Sequence, residues 1–338
     1  MATTMSHPRD VLLGAQAARV RLPVCDHYSG VLARMEKSLL MQSQMIEALG
    51  TCVFDVTLDC EDGAQVGGER DHAQLVSELI AKRVPKARVA ARLHAVDHPH
   101  FEQDVELIVG RVGSLMSHVM IPKVEHVKDI QKVVLVLDRV GAHHLPIHAL
   151  IESPQAVQQA FDIAAHPRVE SLSFGLMDFV SSHAGAIPAW GMTMKGQFEH
   201  PLIVRAKLEI ASACHAHGKT PAHGVVTEIN DLDSIARSAA DAHNLLGYTR
   251  MWSIHPSQIE PIIEAMSPSQ DAIQEAGAIL LAAQEADWGP IRHEGRLHDR
   301  ASYRYYWQLL ERAHDTARTL PREVRVFFES LPNPRVSA

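Results

Sequence analysis

The sequence predicts an α/β protein built on a closed (β/α)8 barrel, the TIM-barrel class, with a C-terminal helical extension. Three observations lead there. Eight short runs of β-branched and apolar residues recur along the chain, and most of the segments between them are long enough for a helix of ten or more residues. Parallel strands need crossovers of that length. The repeating part runs from about residue 19 to about residue 265, close to the roughly 250 residues this barrel typically occupies. The rival arrangement, an open doubly wound sheet, usually carries a phosphate-binding glycine fingerprint, and neither GxGxxG nor GxxxxGK[ST] is present.

Taken in order, the runs are RVRLPV at 19–24, the weakest, then CVFDVTL at 52–58, RVAARL at 88–93 and HVMIP at 118–122. IHALI at 147–151, VESLSF at 169–174, TPAHG at 220–224 and YTRMWSI at 248–254 complete the set. HAH at 215–217 before Gly218 reads as the end of a helix, where partial negative charge favours imidazolium. Past the eighth strand, SQIE at 257–260 reads as a capping box, and SPSQ at 267–270 repeats the signal with proline at the first helical position. WGP at 288–290 breaks that second helix, and RASYRYYWQLL at 300–310 starts a third. The chain thus divides into a barrel domain over 1–265 and a helical segment over 266–338. The latter has apolar side chains but no sheet to cover, which suits packing on a neighbouring subunit.

The 32 basic and 40 acidic side chains give a formal charge of −8, which disfavours nucleic acid as a partner. The longest apolar run, 278–283, is far short of the roughly 18 residues of a membrane span, and the opening MATTMSHPRD lacks a signal-peptide core. The expectation is a cytoplasmic protein without a membrane partner. Cys25, Cys52, Cys60 and Cys214 form no CxxC pair, so reduced thiols are expected.

In such a barrel the chemistry lies at the carboxyl ends of the strands. There the second run is followed by Asp59, Glu61 and Asp62; the third carries Arg92 and then His94; the fourth leads to Lys123 and Glu125. The fifth ends at Glu152, the sixth is followed by Asp178, and the eighth by His255 and Pro256. Carboxylates converging on one rim raise one another's pKa unless a cation neutralises them. All-oxygen ligands select a hard ion such as Mg²⁺, which takes only one or two protein carboxylates; Glu152 and Asp178, on successive strands, are the choice. Blander readings stand beside this. Any one acid after a strand is often a helix cap, the residues before Gly63 also form a turn signal, Lys123 suits a solvated rim, and Glu125 suits pairing with it. HAVDHPH at 94–100 places His98 and His100 on one side of an extended segment, but no further ligand follows at a zinc spacing.

The series LDCEDG (58–63), ARLH (91–94), IPKVE (121–125), LIES (150–153), FGLMD (174–178), SIHPSQI (253–259) and GRLHD (295–299) resembles the citrate lyase beta subunit and malyl-CoA lyase superfamily. The resemblance implies a Mg²⁺-dependent carbon–carbon lyase, a homotrimer or homohexamer, acting through a 2-oxoacid such as oxaloacetate, glyoxylate or pyruvate and on a 3-hydroxy acid or its CoA thioester. It assigns Glu152 and Asp178 to the metal and Arg92 to the substrate's carboxylate or carbonyl oxygen. Asp299 matches an acid or base lent by one subunit to its neighbour, with a helix cap as its other reading. Glu61, Asp62, Lys123 and Glu125 are the further substrate-binding candidates. The chain departs from the family pattern at His94, at Pro154, Gln155 and Ala156, and over 247–252, positions expected beside a substrate or CoA arm. Alternatives are a thioesterase on the same scaffold, a Schiff-base aldolase using Lys123, and a non-catalytic binding subunit.

Overall fold

The computed structural model describes residues 7–14, 21–64 and 66–329, and these group into two compact units. Leu22–Met266 is one; the described parts of Met1–Arg21 and Ser267–Ala338 form the other. In the first, eight parallel strands close a barrel: β1 (Cys25–Ser29), β2 (Phe54–Asp59), β3 (Val89–Arg92), β4 (Val119–Ile121), β5 (Ile147–Ile151), β6 (Val169–Phe174), β7 (Thr220–His223) and β8 (Arg250–Ser253). β8 pairs with β1 to shut the ring. One expectation is corrected. The first strand is CDHYS, not RVRLPV, of which residues 19 and 20 lie outside the described set. All five residues of CDHYS are buried, and its polar pair finds partners on β8, Asp26 in Arg250 and His27 in Ser253.

The interior stacks in layers two residues apart, since side chains alternate along a strand. Tyr28, Met120, Leu150, Ala222 and Trp252 form an apolar middle layer. Two residues earlier on four of those strands stand Asp26, His118, His148 and Arg250, all fully buried. The Arg250 guanidinium bridges Asp26 at 2.7 Å and Asp55 at 2.6 Å and donates to the Pro23 carbonyl at 2.7 Å. Asp55 also accepts from Arg88 at 2.5 Å. This ionic floor corrects one reading of 247–252: Arg250 lies at the amino end of the barrel and meets other side chains there, not a substrate arm. Two residues beyond Leu150 stands Glu152, at the opposite rim.

Helices Leu32–Leu49, Glu69–Ala81, Val127–Arg139, Pro201–His217 and Leu232–Leu246 are among those that surround the strands. Gly218 ends the fourth of these in the left-handed region, φ 67°, as the sequence indicated. After β8 the cap is His255, with Gln258 reaching back to the backbone nitrogens of Ile254 and His255 at 2.9 and 3.3 Å; the expected box at 257–260 begins two residues late. In the second unit, Ser269 rather than Ser267 caps helix Gln270–Glu285. A short hairpin not foreseen, β9 (Ile291–His293) with β10 (Arg296–His298), precedes helix Arg300–Asp315. Tyr303, Trp307, Leu310, Ile279 and Leu280 form that unit's core with Leu12 and Leu13. All four cysteines are free, and no helix among the described residues is long and apolar enough to cross a membrane.

Candidate active site

β2 runs out in Asp59, and what that carboxylate holds organises the rim. It receives Arg92 from the end of β3 through two parallel bonds, Nε to Oδ1 at 2.6 Å and Nη2 to Oδ2 at 2.5 Å. The same oxygens accept the backbone N–H of Glu61 at 3.0 Å and of Gly63 at 2.8 Å. A methyl at position 63 would stand 2.3 Å from Oδ2, so glycine is what lets the turn close on the acid. Burial works to raise the Asp59 pKa, but the Arg92 charge and hydrogen bonds override it and hold the carboxyl below its ordinary value. The sequence marks Asp59 as one of the rim acids, with a turn or cap residue as its blander reading. Its role as the clamp of Arg92 needs a partner 33 residues away.

Glu61 continues the network. It meets Arg92 Nη1 at 3.1 Å through one oxygen and hydrogen-bonds the Lys123 ammonium through the other. Asp62 lies 3.7 Å from the same ammonium. Burial tends to lower the Lys123 pKa, yet the bond to Glu61 and the charges of Glu61, Asp62 and Glu152 raise it overall. A lysine held charged this way is a poor Schiff-base nucleophile, which needs the free amine. Lys123 has left-handed backbone, φ 53°, and its N–H donates to Glu152 Oε1 at 2.7 Å. Glu125 does not pair with Lys123; it accepts the Ser153 hydroxyl at 2.7 Å.

Glu152 is 5% exposed, and its pKa is pushed up to about 8, first by burial and then by the charge of Asp178. Asp178 is half-buried in the first turn of helix Leu176–Ser181, entered through Gly175. A methyl at Gly175 would lie 2.6 Å from Glu152 Oε2, so the turn after β6 approaches this carboxylate closely. Two acids whose repulsion the neighbouring cations leave uncompensated suit a hard divalent cation, which binds oxygen and restores the charge balance. These residues therefore fit Mg²⁺. Asp26, His118 and His148 also bring donor atoms within 4.8 Å of one another in the barrel floor. They do not fit it: Arg250 already occupies Asp26, the imidazole rings stack face to face at 3.6 Å so their in-plane lone pairs do not converge, and nitrogen is a poor magnesium ligand.

A cavity of about 280 Å³ opens beside Arg92, floored by Tyr28 and Trp252 and edged by Asp59, Asp62 and Arg34. The Tyr28 and Trp252 rings lie 4.2 Å apart, and the Arg92 guanidinium sits 5.8 Å from the Tyr28 ring centre. Tyr28 comes from β1, outside the run at 19–24 that the sequence suggests for the first strand. Of the sequence candidates, Glu61, Asp62, Arg92, Lys123 and Glu152 meet in one hydrogen-bonded or ion-paired set, with Asp178 close enough to perturb Glu152. Asp299 belongs to the other unit, where its carboxylate caps helix Arg300–Asp315 by accepting from Ala301 and Ser302 at 2.9 and 3.4 Å.

The profile of the HpcH/HpaI aldolase/citrate lyase group matches residues 38–256. An L-malyl-CoA/beta-methylmalyl-CoA lyase of Cereibacter sphaeroides is 30% identical over 281 residues, covering 76% of this chain and 87% of that one. A crystal structure described as a citrate lyase from Burkholderia xenovorans superposes with a TM-score of 0.81 at 48% identity, over 96% of this chain and all of that one. The fold is shared with CitE of Mycobacterium tuberculosis, solved with magnesium, acetoacetate and coenzyme A, at a TM-score of 0.63 and 21% identity, over 87% of this chain and 98% of that one.

Proposed function

Because the chain belongs to the HpcH/HpaI aldolase/citrate lyase family, we propose that it is a carbon–carbon lyase that cleaves or forms a 3-hydroxyacyl-CoA thioester of the malyl type, with a 2-oxoacid as the second fragment. The observation that carries this reading is the carboxylate pair Glu152 and Asp178 on the rim that holds the clamped Arg92.

In the cleavage direction the 3-hydroxyl loses its proton, the carbon–carbon electron pair passes to the thioester fragment as an enolate, and a proton quenches that enolate. Mg²⁺ held by Glu152 and Asp178 would supply Lewis acidity at the oxygens of the 2-oxoacid fragment. Arg92 cannot turn away, because Asp59 holds two of its three nitrogens and Glu61 the third, so the one N–H left on each terminal nitrogen would meet developing negative charge without reorganising. Asp299 is the proton carrier in this proposal, supplied by the second unit of a neighbouring copy in a homo-oligomer. Glu61 and Lys123 fix each other and keep the Arg92 side of the rim in place.

The test is product analysis with malyl-CoA and EDTA-treated protein. Glyoxylate and acetyl-CoA should appear on adding Mg²⁺ and fail to appear in Glu152→Gln. Free CoA and malate, without any 2-oxoacid, would mean hydrolysis instead and sink the proposal.

A further inference from the structure

His94 stands two residues beyond Arg92, just past the end of β3. Leu93 continues the ladder of β3 by donating to the Met120 carbonyl at 3.1 Å, so His94 follows Arg92 on the same side of the extended chain. Its ring is largely buried and lies 2.7 Å, through Nδ1, from Asp104, and the same carboxylate oxygen accepts the His94 backbone N–H at 3.0 Å. Asp104 is 1% exposed, and its other oxygen has no hydrogen-bond partner. A carboxylate taken so far from water needs a counter-charge, and among the described residues Asp104 forms its ion pair with His94. Nδ1–H is thereby committed, which leaves Nε2–H as the donor an imidazolium has to offer.

The surroundings point the same way. Asp104 faces the ring from helix Phe101–Asp104, Glu61 from the loop after β2, and Glu69 from the start of helix Glu69–Ala81. Arg92 stands two residues back on β3. From its own loop, His98 stacks on His94 at 4.3 Å and 9°, and His100 lies 5.7 Å away. Burial disfavours the charged ring, but the Asp104 hydrogen bond and charge, followed by Glu61 and Glu69, raise its pKa above the ordinary histidine value. The rim also has use for the charge. Asp59, Glu61 and Asp62 equal Arg34, Arg92 and Lys123 in number, so without a further cation the rim offers a substrate anion no net positive charge.

We propose that His94, kept as an imidazolium by Asp104, is a substrate-binding residue that donates to a carboxylate of the acid substrate beside Arg92 and makes the affinity for that substrate pH-dependent. This rests on the lyase reading and names a recognition element within the same site. Its test is calorimetric binding of L-malate and of glyoxylate to the Mg²⁺-loaded protein, which needs no turnover, together with KM and kcat for malyl-CoA, from about pH 6 to about pH 9.

The wild type should bind about tenfold more weakly at the alkaline end, with the change in KM rather than kcat. His94→Asn should bind weakly throughout and lose the pH dependence, and Asp104→Asn should move the transition to lower pH; melting curves identify any variant that has lost its fold. Wild-type affinity with an unchanged transition in His94→Asn overturns the inference while leaving the lyase reading intact. Should the variant fail to fold, a His94 ring whose NMR titration in the wild type is untouched by saturating malate or glyoxylate overturns it equally. Failure of the lyase reading shows separately, as absence of the 2-oxoacid product.

Discussion

Arg92 and Asp59 meet fork to fork, Nε to Oδ1 at 2.6 Å and Nη2 to Oδ2 at 2.5 Å, at the ends of adjacent strands paired in register. A guanidinium seized along one edge by a buried carboxylate has a fixed direction, and this chain spends one of its acids on that purpose rather than on a ligand.

Asp59→Asn should therefore lower kcat/KM by about 10²-fold while the barrel still forms, because the arginine keeps its charge and loses its aim. Steady-state kinetics on malyl-CoA, paired with a urea melt, separates this from simple unfolding. A variant with near-native kinetics contradicts the clamp.

Glu152, raised to about 8 by burial and then by Asp178, is largely protonated at neutral pH when no cation is bound. Between its ordinary value near 4.5 and about 8 the folded protein holds a proton the unfolded chain has lost, so stability without metal falls as pH rises through that window. A divalent cation displaces the proton. Mg²⁺ binding near pH 7 should release close to one proton, measurable by calorimetry in buffers of different ionisation enthalpy, and should raise the melting temperature more at about pH 8 than at about pH 6.

Arg250→Met leaves Asp26 without its guanidinium partner in the barrel floor and Asp55 with Arg88 alone. Removing one member of a buried ion pair typically costs about 3–5 kcal/mol, and that loss should appear in denaturant unfolding. The effect on KM should be small in the surviving folded protein, since the apolar layer of Tyr28, Met120, Leu150 and Trp252 stands between this floor and the rim.

Asp299→Ala should remove a helix cap, at about 1 kcal/mol, and abolish turnover. If each subunit lends this acid to another, mixed oligomers of Asp299→Ala and Glu152→Gln should regain activity that neither parent has, because some sites then combine an intact Glu152 with an intact Asp299. No recovery after verified subunit exchange would end the proposal that the acid is lent between subunits, and full turnover in Asp299→Ala would leave it to capping alone.

Strand number, strand order and the acids and bases on the carboxyl rim are written locally in this chain: a run of β-branched residues says where a strand is, and the residue that follows it says what the rim carries. Glu152 after β5 and Arg92 at the end of β3 were legible for that reason. Two things were not. CDHYS as β1 was not, because Asp26 and His27 suit a core only once Arg250 and Ser253 meet them from β8. The roles of Asp59, His94 and Asp104 were likewise hidden, because a carboxylate's function depends on which cation it meets. Arg92 reaches Asp59 across 33 residues, and Lys123 reaches Glu61 across 62. Such partners come from the closure of the ring, which brings distant strand ends within hydrogen-bond range; no local period or propensity encodes the distance between them.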